Sequence, residues 1–327
     1  MTTLITGGAG YIGAHMALDL VDRGEPVVVL DDLSTGHRWS VPGGAVFIQG
    51  DVGDQALIAS LIKQHGVHAI VHFAAKTVVP DSVADPLGYY LANTVKSRAM
   101  LEAAYNAGVR RIVFSSTAAV YGEPGDAPVA EDSPLRPLSP YGWSKLMTEQ
   151  MLRDVAAASD LRFVALRYFN VAGADPAGRA GQSTPRATHL IKIAAETVVG
   201  KRQQIEVFGT DYPTRDGACV RDYIHVTDLI AAHAAALDYL AAGNPSLTCN
   251  CGYGRGYSVR EVIAAVKSVS GLDFPVVERP RRAGDSASVV ADPSLARARL
   301  GWTPRYDDLN TIIAHAVAWE RTLQKRG

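Results

Sequence analysis

Thr3-Leu4-Ile5-Thr6-Gly7-Gly8-Ala9-Gly10-Tyr11-Ile12-Gly13 opens on a short apolar run, passes through a turn of glycines and enters a segment that reads as helix to about Asp22. The glycines at 7, 10 and 13 have separate uses: a tight turn, close approach of a pyrophosphate to backbone amides, and close packing of helix on strand. The next apolar run, 26–30, ends in Asp31, 18 residues after Gly13. A carboxylate there accepts hydrogen bonds from an adenosine ribose and repels a 2′-phosphate, so NAD is expected in preference to NADP. Asp32 follows directly, and His37 and Arg38 lie close by. The plain alternative is a loop that merely collects glycines before a strand-capping aspartate; the order strand, turn, helix, strand, aspartate speaks against it.

Working outward, strands at 45–49, 69–73, 111–115 and 162–168 alternate with helical periodicity at 55–64, 86–107 and 140–158. This rhythm predicts an α/β fold of Rossmann type, a doubly wound parallel sheet with ligands at the carboxyl ends of its strands. The cofactor candidates are Gly7, Gly10, Tyr11, Ile12 and Asp31, then Asp51 and Val52 near the adenine, Phe73, Ala74 and Ala75 along the dinucleotide, Asn93 on the long helix, and Ser115. Taken singly, Asp51 reads equally as a turn residue and Asn93 as a buried helix amide.

Ser139-Pro140-Tyr141-Gly142-Trp143-Ser144-Lys145 reads as the start of a helix. Ser139 can cap the free amides and Pro140 suits the first helical position. Tyr141 and Lys145 then share one face. An ordinary phenol has a pKa of ~10, and a nearby ammonium with a helix terminus is expected to lower it, biasing Tyr141 towards a base. A Tyr-x-x-x-Lys pair also arises by chance in amphipathic helices.

The 327 residues, 47% of them hydrophobic, suffice for a large core. Thirty-two basic against 33 acidic side chains leave a formal charge of −1, which gives no footprint for nucleic acid or an anionic membrane. Cys219, Cys249 and Cys251 are too few and too irregularly spaced for a disulfide framework or a four-ligand zinc site. No metal is expected. The first residues lead straight into a strand, and no apolar run would span a bilayer, so a soluble cytoplasmic protein is expected.

Thr6-Gly7-x-x-Gly10-x-x-Gly13, Asp31, Ser115-Ser116-Thr117 and Tyr141-x-x-x-Lys145 together resemble the extended short-chain dehydrogenase/reductase superfamily. Arg167-Tyr168-Phe169-Asn170, the run from Phe208 to Gly217, Val220-Arg221-Asp222-Tyr223-Ile224-His225 and Arg281-Arg282-x-Gly284-Asp285 narrow the resemblance to the UDP-glucose 4-epimerases, over nearly the whole chain. The resemblance implies bound NAD, a UDP-hexose substrate, and Thr117, Tyr141 and Lys145 as catalytic residues, the first two at the sugar O4 and the lysine at the nicotinamide ribose. It also implies Tyr168 near the nicotinamide, Arg221 and Arg282 on the diphosphate, Asn170 and Asp285 on the phosphate and ribose side, and Phe208 beside the uracil. His189-Leu190 stands where relatives carry Asn-Leu, and Lys76-Thr77 is shifted by one position from the usual lysine. Val289, four residues after Asp285, matches a position facing the sugar, where valine leaves room for an N-acetyl group. Without the family, Arg221 beside Asp222 would read as a surface ion pair and 279–282 as a solvated charge run.

The expected organisation is an NAD-binding part at 1–170 and a smaller α/β lobe at 171–327, mainly for the UDP-sugar, with the strand at 247–250 and the helix at 259–270 returning to the first sheet. A helix is expected over 187–199, and Trp302 and Trp319 are expected in the core. The implied reaction is NAD-dependent C4 epimerisation of UDP-glucose and UDP-galactose through a 4-keto sugar, in a homodimer joined through helices 86–107 and 140–158. UDP-pentose epimerisation and a non-catalytic NAD sensor are the alternatives. So is a dehydratase or decarboxylase, although Ala118 and Ala119 stand where such relatives place carboxylates.

Overall fold

The computed structural model describes every residue except Asp126, Pro185, Arg186, Ala283 and Gly327, and the side chain of Arg326. The first half runs β1 (Thr2–Thr6), α1 (Tyr11–Asp22), β2 (Val27–Asp31), β3 (Val46–Gln49), α2 (Gln55–His65), β4 (Val67–His72), α3 (Val79–Ala84), α4 (Pro86–Tyr89), a π-turn (Tyr90–Val95), α5 (Lys96–Asn106), β5 (Arg111–Thr117), α6 (Pro140–Ala158) and β6 (Arg162–Tyr168). The second half runs β7 (Asn170–Ala172), α7 (Leu190–Val198), β8 (Ile205–Phe208), β9 (Val220–His225), α8 (Val226–Ala241), β10 (Leu247–Cys251), β11 (Gly256–Ser258), α9 (Val259–Ser270), β12 (Val276–Arg279), β13 (Ser288–Val289), α10 (Ser294–Leu300) and α11 (Leu309–Arg326).

The main sheet has seven parallel strands in the order β10-β6-β5-β4-β1-β2-β3. Chain order reverses direction on either side of β1, so a crevice opens at the carboxyl ends of β1 and β4. Strands buried on both faces explain the continuous apolar runs Val27–Leu30 and Ile112–Phe114. One face packs Met16 and Leu20 of α1 and Ile230 and Leu237 of α8, the other Ile58 and Leu61 of α2, Met100 of α5 and Leu152 of α6. Trp302 joins the first of these cores, and Trp319 is also buried.

Three expectations change. The helix expected over 86–107 is interrupted by the π-turn, which carries Asn93. Hydrophobic period alone does not reveal one extra residue in a turn, and such turns recur at functional sites. The helix expected from 187 starts at Leu190, with His189 in extended backbone before it. Finally, the helix expected to return to the main sheet does not do so: Val262, Ile263 and Val266 of α9 pack with Ile191 of α7 and Ile312 of α11 in a separate core. That core surrounds a small sheet in which β9 pairs with β7, β11 and β13.

Candidate active site

The glycine turn after β1 is shaped by contact. Gly7 has φ +72, and a Cβ there would lie 2.6 Å from the Ala74 amide nitrogen; one on Gly13 would lie 2.2 Å from the Gly7 carbonyl oxygen. Gly10 begins α1 without a side-chain cap, so the first amides of the helix stay available to an anion. Asp31 sits at the end of β2, its Oδ2 accepting from Ala9 N at 2.9 Å and its Oδ1 from Leu33 N at 2.8 Å. Burial pushes its carboxyl up, against those amides. A buried, oriented carboxylate one strand from a side-chain-free phosphate cradle fits the adenosine half of a dinucleotide.

The neighbouring candidates divide. Tyr11 donates to the Gly173 carbonyl at 2.7 Å, tying α1 to the loop after β7. Asp51 is paired with Lys96 at 2.5 Å and accepts from Gly53 N at 2.8 Å; burial pushes its carboxyl up, but the ammonium and the amide hold it below the usual range. Val52 and Ile12 pack against the two faces of the sheet. Phe73 and Ala74 both donate their amides to Thr6 O, at 3.0 and 3.1 Å. Lys76 turns its ammonium to Asp85, 3.4 Å away, and over the Tyr89 ring. Its backbone, rather than its charge, meets the site: the Asn93 side chain accepts from Lys76 N at 2.8 Å and donates to Lys76 O at 2.9 Å.

Two strands from the glycine turn, β5 ends at Thr117 facing the start of α6. Ser139 caps that helix, its Oγ accepting from Gly142 N at 3.2 Å, and Pro140 opens it. Lys145 donates to the Ser115 carbonyl at 2.9 Å and lies 5.0 Å from the centre of the Phe114 ring. Tyr141 is hydrogen-bonded to Thr117, and Thr117 Oγ1 accepts from Ala119 N at 3.1 Å. Ser115 Oγ donates to the Tyr168 hydroxyl at 3.1 Å.

The electrostatics correct one expectation. Burial raises the Tyr141 pKa, against the Thr117 hydrogen bond, and burial pulls Lys145 down to about 7. Desolvation in this dry pocket outweighs the helix terminus. For Lys145 the folded pKa lies below the unfolded value of ~10.4, so between these limits the unfolded chain holds the extra proton and stability rises with pH. In ligand-free protein, Lys145→Met should therefore flatten the rise in unfolding free energy between pH 7 and 9 by up to about 1.4 kcal/mol per pH unit. Equal slopes in denaturant titrations would contradict a buried, deprotonating lysine.

Beneath the cluster lies a buried network that sequence reading passed over. Arg167 Nε and Nη2 donate to Glu149 Oε1 and Oε2 at 3.0 and 2.7 Å. Ser116 Oγ adds a 2.5 Å bond to Glu149, and Arg167 Nη1 reaches the Tyr121 hydroxyl at 2.9 Å. The signal was present as an arginine inside the largely apolar strand β6 and a glutamate one turn after Lys145. Their meeting required the fold.

In the second lobe, Asp222 is fully buried and accepts from Tyr253 N and Gly254 N at 2.9 and 2.8 Å. The surface ion pair with Arg221 therefore does not form; Arg221 donates to Val220 O at 2.8 Å. Arg279 and Arg281 pair with Glu206 and Asp211 at 2.8 and 2.7 Å. Arg282 instead lies 4.2 Å over the Phe208 ring with Asp285 3.3 Å from its Nε, bringing three candidates together. Gln182 Nε2 donates to His189 Nδ1 at 2.9 Å, and Leu190 packs on the small core. Asn170 begins β7 in register with Tyr223. Val289 shares an apolar cluster with Ala118, Tyr121 and Phe169, which sets β13 beside the turn that follows Thr117. Among the described residues, no group of three or more His, Cys, Asp or Glu could hold a metal ion, and no helix is long and apolar enough to cross a membrane.

A phosphate cradle at the switch point of the sheet and a desolvated Tyr–Lys pair at the next crevice define a Rossmann-fold enzyme of the short-chain dehydrogenase/reductase class. Residues 3–252 match the NAD dependent epimerase/dehydratase family, and the UDP-glucose 4-epimerase of Azospirillum brasilense is 53% identical over 322 residues, covering 98% of this chain and 92% of that one. The chain belongs to that family, and within it to the UDP-glucose 4-epimerases. Solved relatives agree in shape. The enzyme from Stenotrophomonas maltophila, with bound NAD and formylated UDP-arabinopyranose, has a TM-score of 0.96 at 40% identity over 100% of both chains. The UDP-Glc/GlcNAc 4-epimerase of Campylobacter jejuni has a TM-score of 0.85 at 46% identity, covering 98% of this chain and 99% of that one.

Proposed function

We propose that the protein interconverts UDP-glucose and UDP-galactose by NAD-dependent epimerisation at C4, with Thr117, Tyr141 and Lys145 as its catalytic residues. The observation that carries this reading is the hydrogen-bonded Thr117–Tyr141 pair, buried with Lys145 and followed by Ala118 and Ala119. Elimination would need an acid and a base at neighbouring carbons, and methyl groups stand there. The glycine turn would hold the pyrophosphate, Asp31 the adenosine ribose, Lys145 the nicotinamide ribose and Tyr168 the nicotinamide side. Bound NAD supplies a hydride acceptor at the sugar carbon, and its positive ring favours the phenolate. Tyr141 takes the O4 proton and Thr117 holds the oxygen. Lys145 steadies the tyrosine's charge. Once the 4-keto sugar has turned over, Tyr141 would return the proton to O4, the reduced cofactor supplying the hydride to C4 from the other face. Arg221 and Arg282 anchor the diphosphate throughout, with Phe208 beside the uracil and Asn170, Asp285, His189 and Leu190 around the nucleotide. On this reading 1–170 binds NAD and 171–327 mainly the UDP-sugar.

Protein desalted without added NAD, incubated with UDP-galactose, should yield UDP-glucose by chromatography with no net accumulation of reduced nicotinamide. A released keto sugar, or no product even with NAD, would defeat the reading. Val289 sets the second specificity: UDP-N-acetylglucosamine should turn over as well, and Val289→Tyr should cut that activity roughly ten-fold or more while sparing UDP-galactose. Equal losses on both substrates would remove Val289 from the sugar pocket.

The assembly proposed is a homodimer. Leu87, Leu91 and Val95 lie four residues apart along α4 and the π-turn and are 80%, 54% and 52% exposed; on the neighbouring α6, Trp143 and Met147 are 42% and 41% exposed. Apolar faces of this kind are covered in soluble assemblies; a monomer by light scattering at micromolar concentration would rule it out. Three buried free thiols suit a reducing cytoplasm, testable by cell fractionation.

A further inference from the structure

A chain of hydrogen bonds joins the glycine turn to the catalytic helix through Thr6, His72 and Ser97, to which none of the roles above is given. Thr6 ends β1 just before Gly7, and His72 ends β4; their Oγ1 and Nδ1 are 2.6 Å apart, with both side chains buried. His72 Nε2 is 2.8 Å from Ser97 Oγ. Ser97 Oγ in turn donates to the Asn93 carbonyl at 2.5 Å. A serine hydroxyl has one proton, and Asn93 receives it, so Ser97 accepts from His72 Nε2–H. His72 Nδ1 is then the unprotonated nitrogen and accepts from the Thr6 hydroxyl. The direction of the chain is thereby fixed from Thr6 to His72 to Ser97 to Asn93.

Its far end is the π-turn. Thr148 Oγ1 of α6 shares its one proton between the Asn93 carbonyl at 3.2 Å and the Ser144 carbonyl at 3.1 Å, and the Asn93 side chain donates to Ser144 Oγ at 3.0 Å. Ser144 directly precedes Lys145. A π-turn is a rare geometry, frequent at functional sites, and here the Asn93 carbonyl takes the Ser97 proton and a share of the Thr148 one. Burial, with the charge of Lys145, holds the His72 pKa at about 3. The imidazole therefore keeps its acceptor nitrogen for Thr6 at neutral pH.

We propose that His72 is a positioning residue: through Thr6 on one side and Ser97 on the other, it fastens the π-turn to the dinucleotide turn, so that Asn93 and Ser144 hold Lys145 in register with the bound dinucleotide. This rests on the reading of Tyr141 and Lys145 as catalytic. The test uses Ser97→Ala and Thr6→Val, their double variant, Thr6→Ser, and Tyr141→Phe as a control, with His72→Phe added if it folds. For each, kcat and KM for UDP-galactose, the thermal midpoint, and NADH binding to cofactor-stripped protein by fluorescence are measured.

Ser97→Ala and Thr6→Val should each lower kcat by roughly ten- to a hundred-fold, the cost of a small misplacement, with KM little changed. NADH binding should weaken in Ser97→Ala although Ser97 lies behind His72 on α5. The double variant should be no worse than the poorer single one, because both interrupt the same chain, and Thr6→Ser should restore kcat. Wild-type kcat and NADH affinity in both single variants, beside an inactive Tyr141→Phe, would overturn the proposal and leave the catalytic reading standing. Multiplying losses that track the thermal midpoint would overturn it in favour of a plain structural role. An active Tyr141→Phe would instead overturn the catalytic reading.

Discussion

Tyr141→Phe is expected to lower kcat by roughly 10²–10⁴-fold, the usual weight of a positioned general base, with the fold and KM for UDP-galactose nearly unchanged. The ring is buried and packs without strain as phenylalanine, so the change removes one oxygen and its bond to Thr117. Because burial raises the phenol's pKa in the ligand-free chain, the activity of the wild-type protein should climb with pH until the phenolate forms in the loaded site. A rate of exchange at C4 within ten-fold of wild type would mean that another group takes the proton.

Glu149→Ala should destabilise the protein by about 3–5 kcal/mol, because it leaves the Arg167 guanidinium buried without its carboxylate. Arg167 is 1% exposed and Glu149 fully buried, and the pair is bidentate. Replacing both, as Glu149→Leu with Arg167→Met, should cost much less than the single change, since no fully buried charge is left unpaired and Arg153, which also reaches Glu149 at 2.7 Å, is partly exposed and can turn to water. Activity should fall in either case. Glu149 lies one turn beyond Lys145, and its partner Ser116 lies next to Thr117, so the network braces helix α6 against strands β5 and β6. Urea titrations showing a loss below about 1 kcal/mol for Glu149→Ala would mean that water reaches the arginine.

Much of the Rossmann half was legible because its signals are local. Three glycines in a turn, an aspartate at a strand end, and a Ser-Pro start to a helix state their geometry within a few residues. The structure repeats them as the Gly7 turn, the Asp31 bonds to Ala9 and Leu33, and the Ser139 cap. The second half was less legible. Strand β9 gathers partners from residues 170–172, 256–258 and 288–289, a pairing with no local pattern. Helix α9 has the amphipathic period of a helix on any sheet, and only the location of its apolar partners assigns it to the small core.

By itself, then, the sequence determined what backbone sterics and short-range hydrogen bonding control: the parallel βα rhythm, the phosphate turn, and the shared face of Tyr141 and Lys145. The tertiary structure alone decided what depends on surroundings. Solvent exclusion pushes the Tyr141 pKa up, opposite to the expectation from charge and dipole, and pulls Lys145 down. The bulge around Asn93 is held by its bonds to Ser144 on α6 and to the Lys76 carbonyl, and the packing of α6 on β5 and β6 brought Glu149 to Arg167. Dielectric environment and long-range contact are properties of the folded chain as a whole, and no window of sequence contains them.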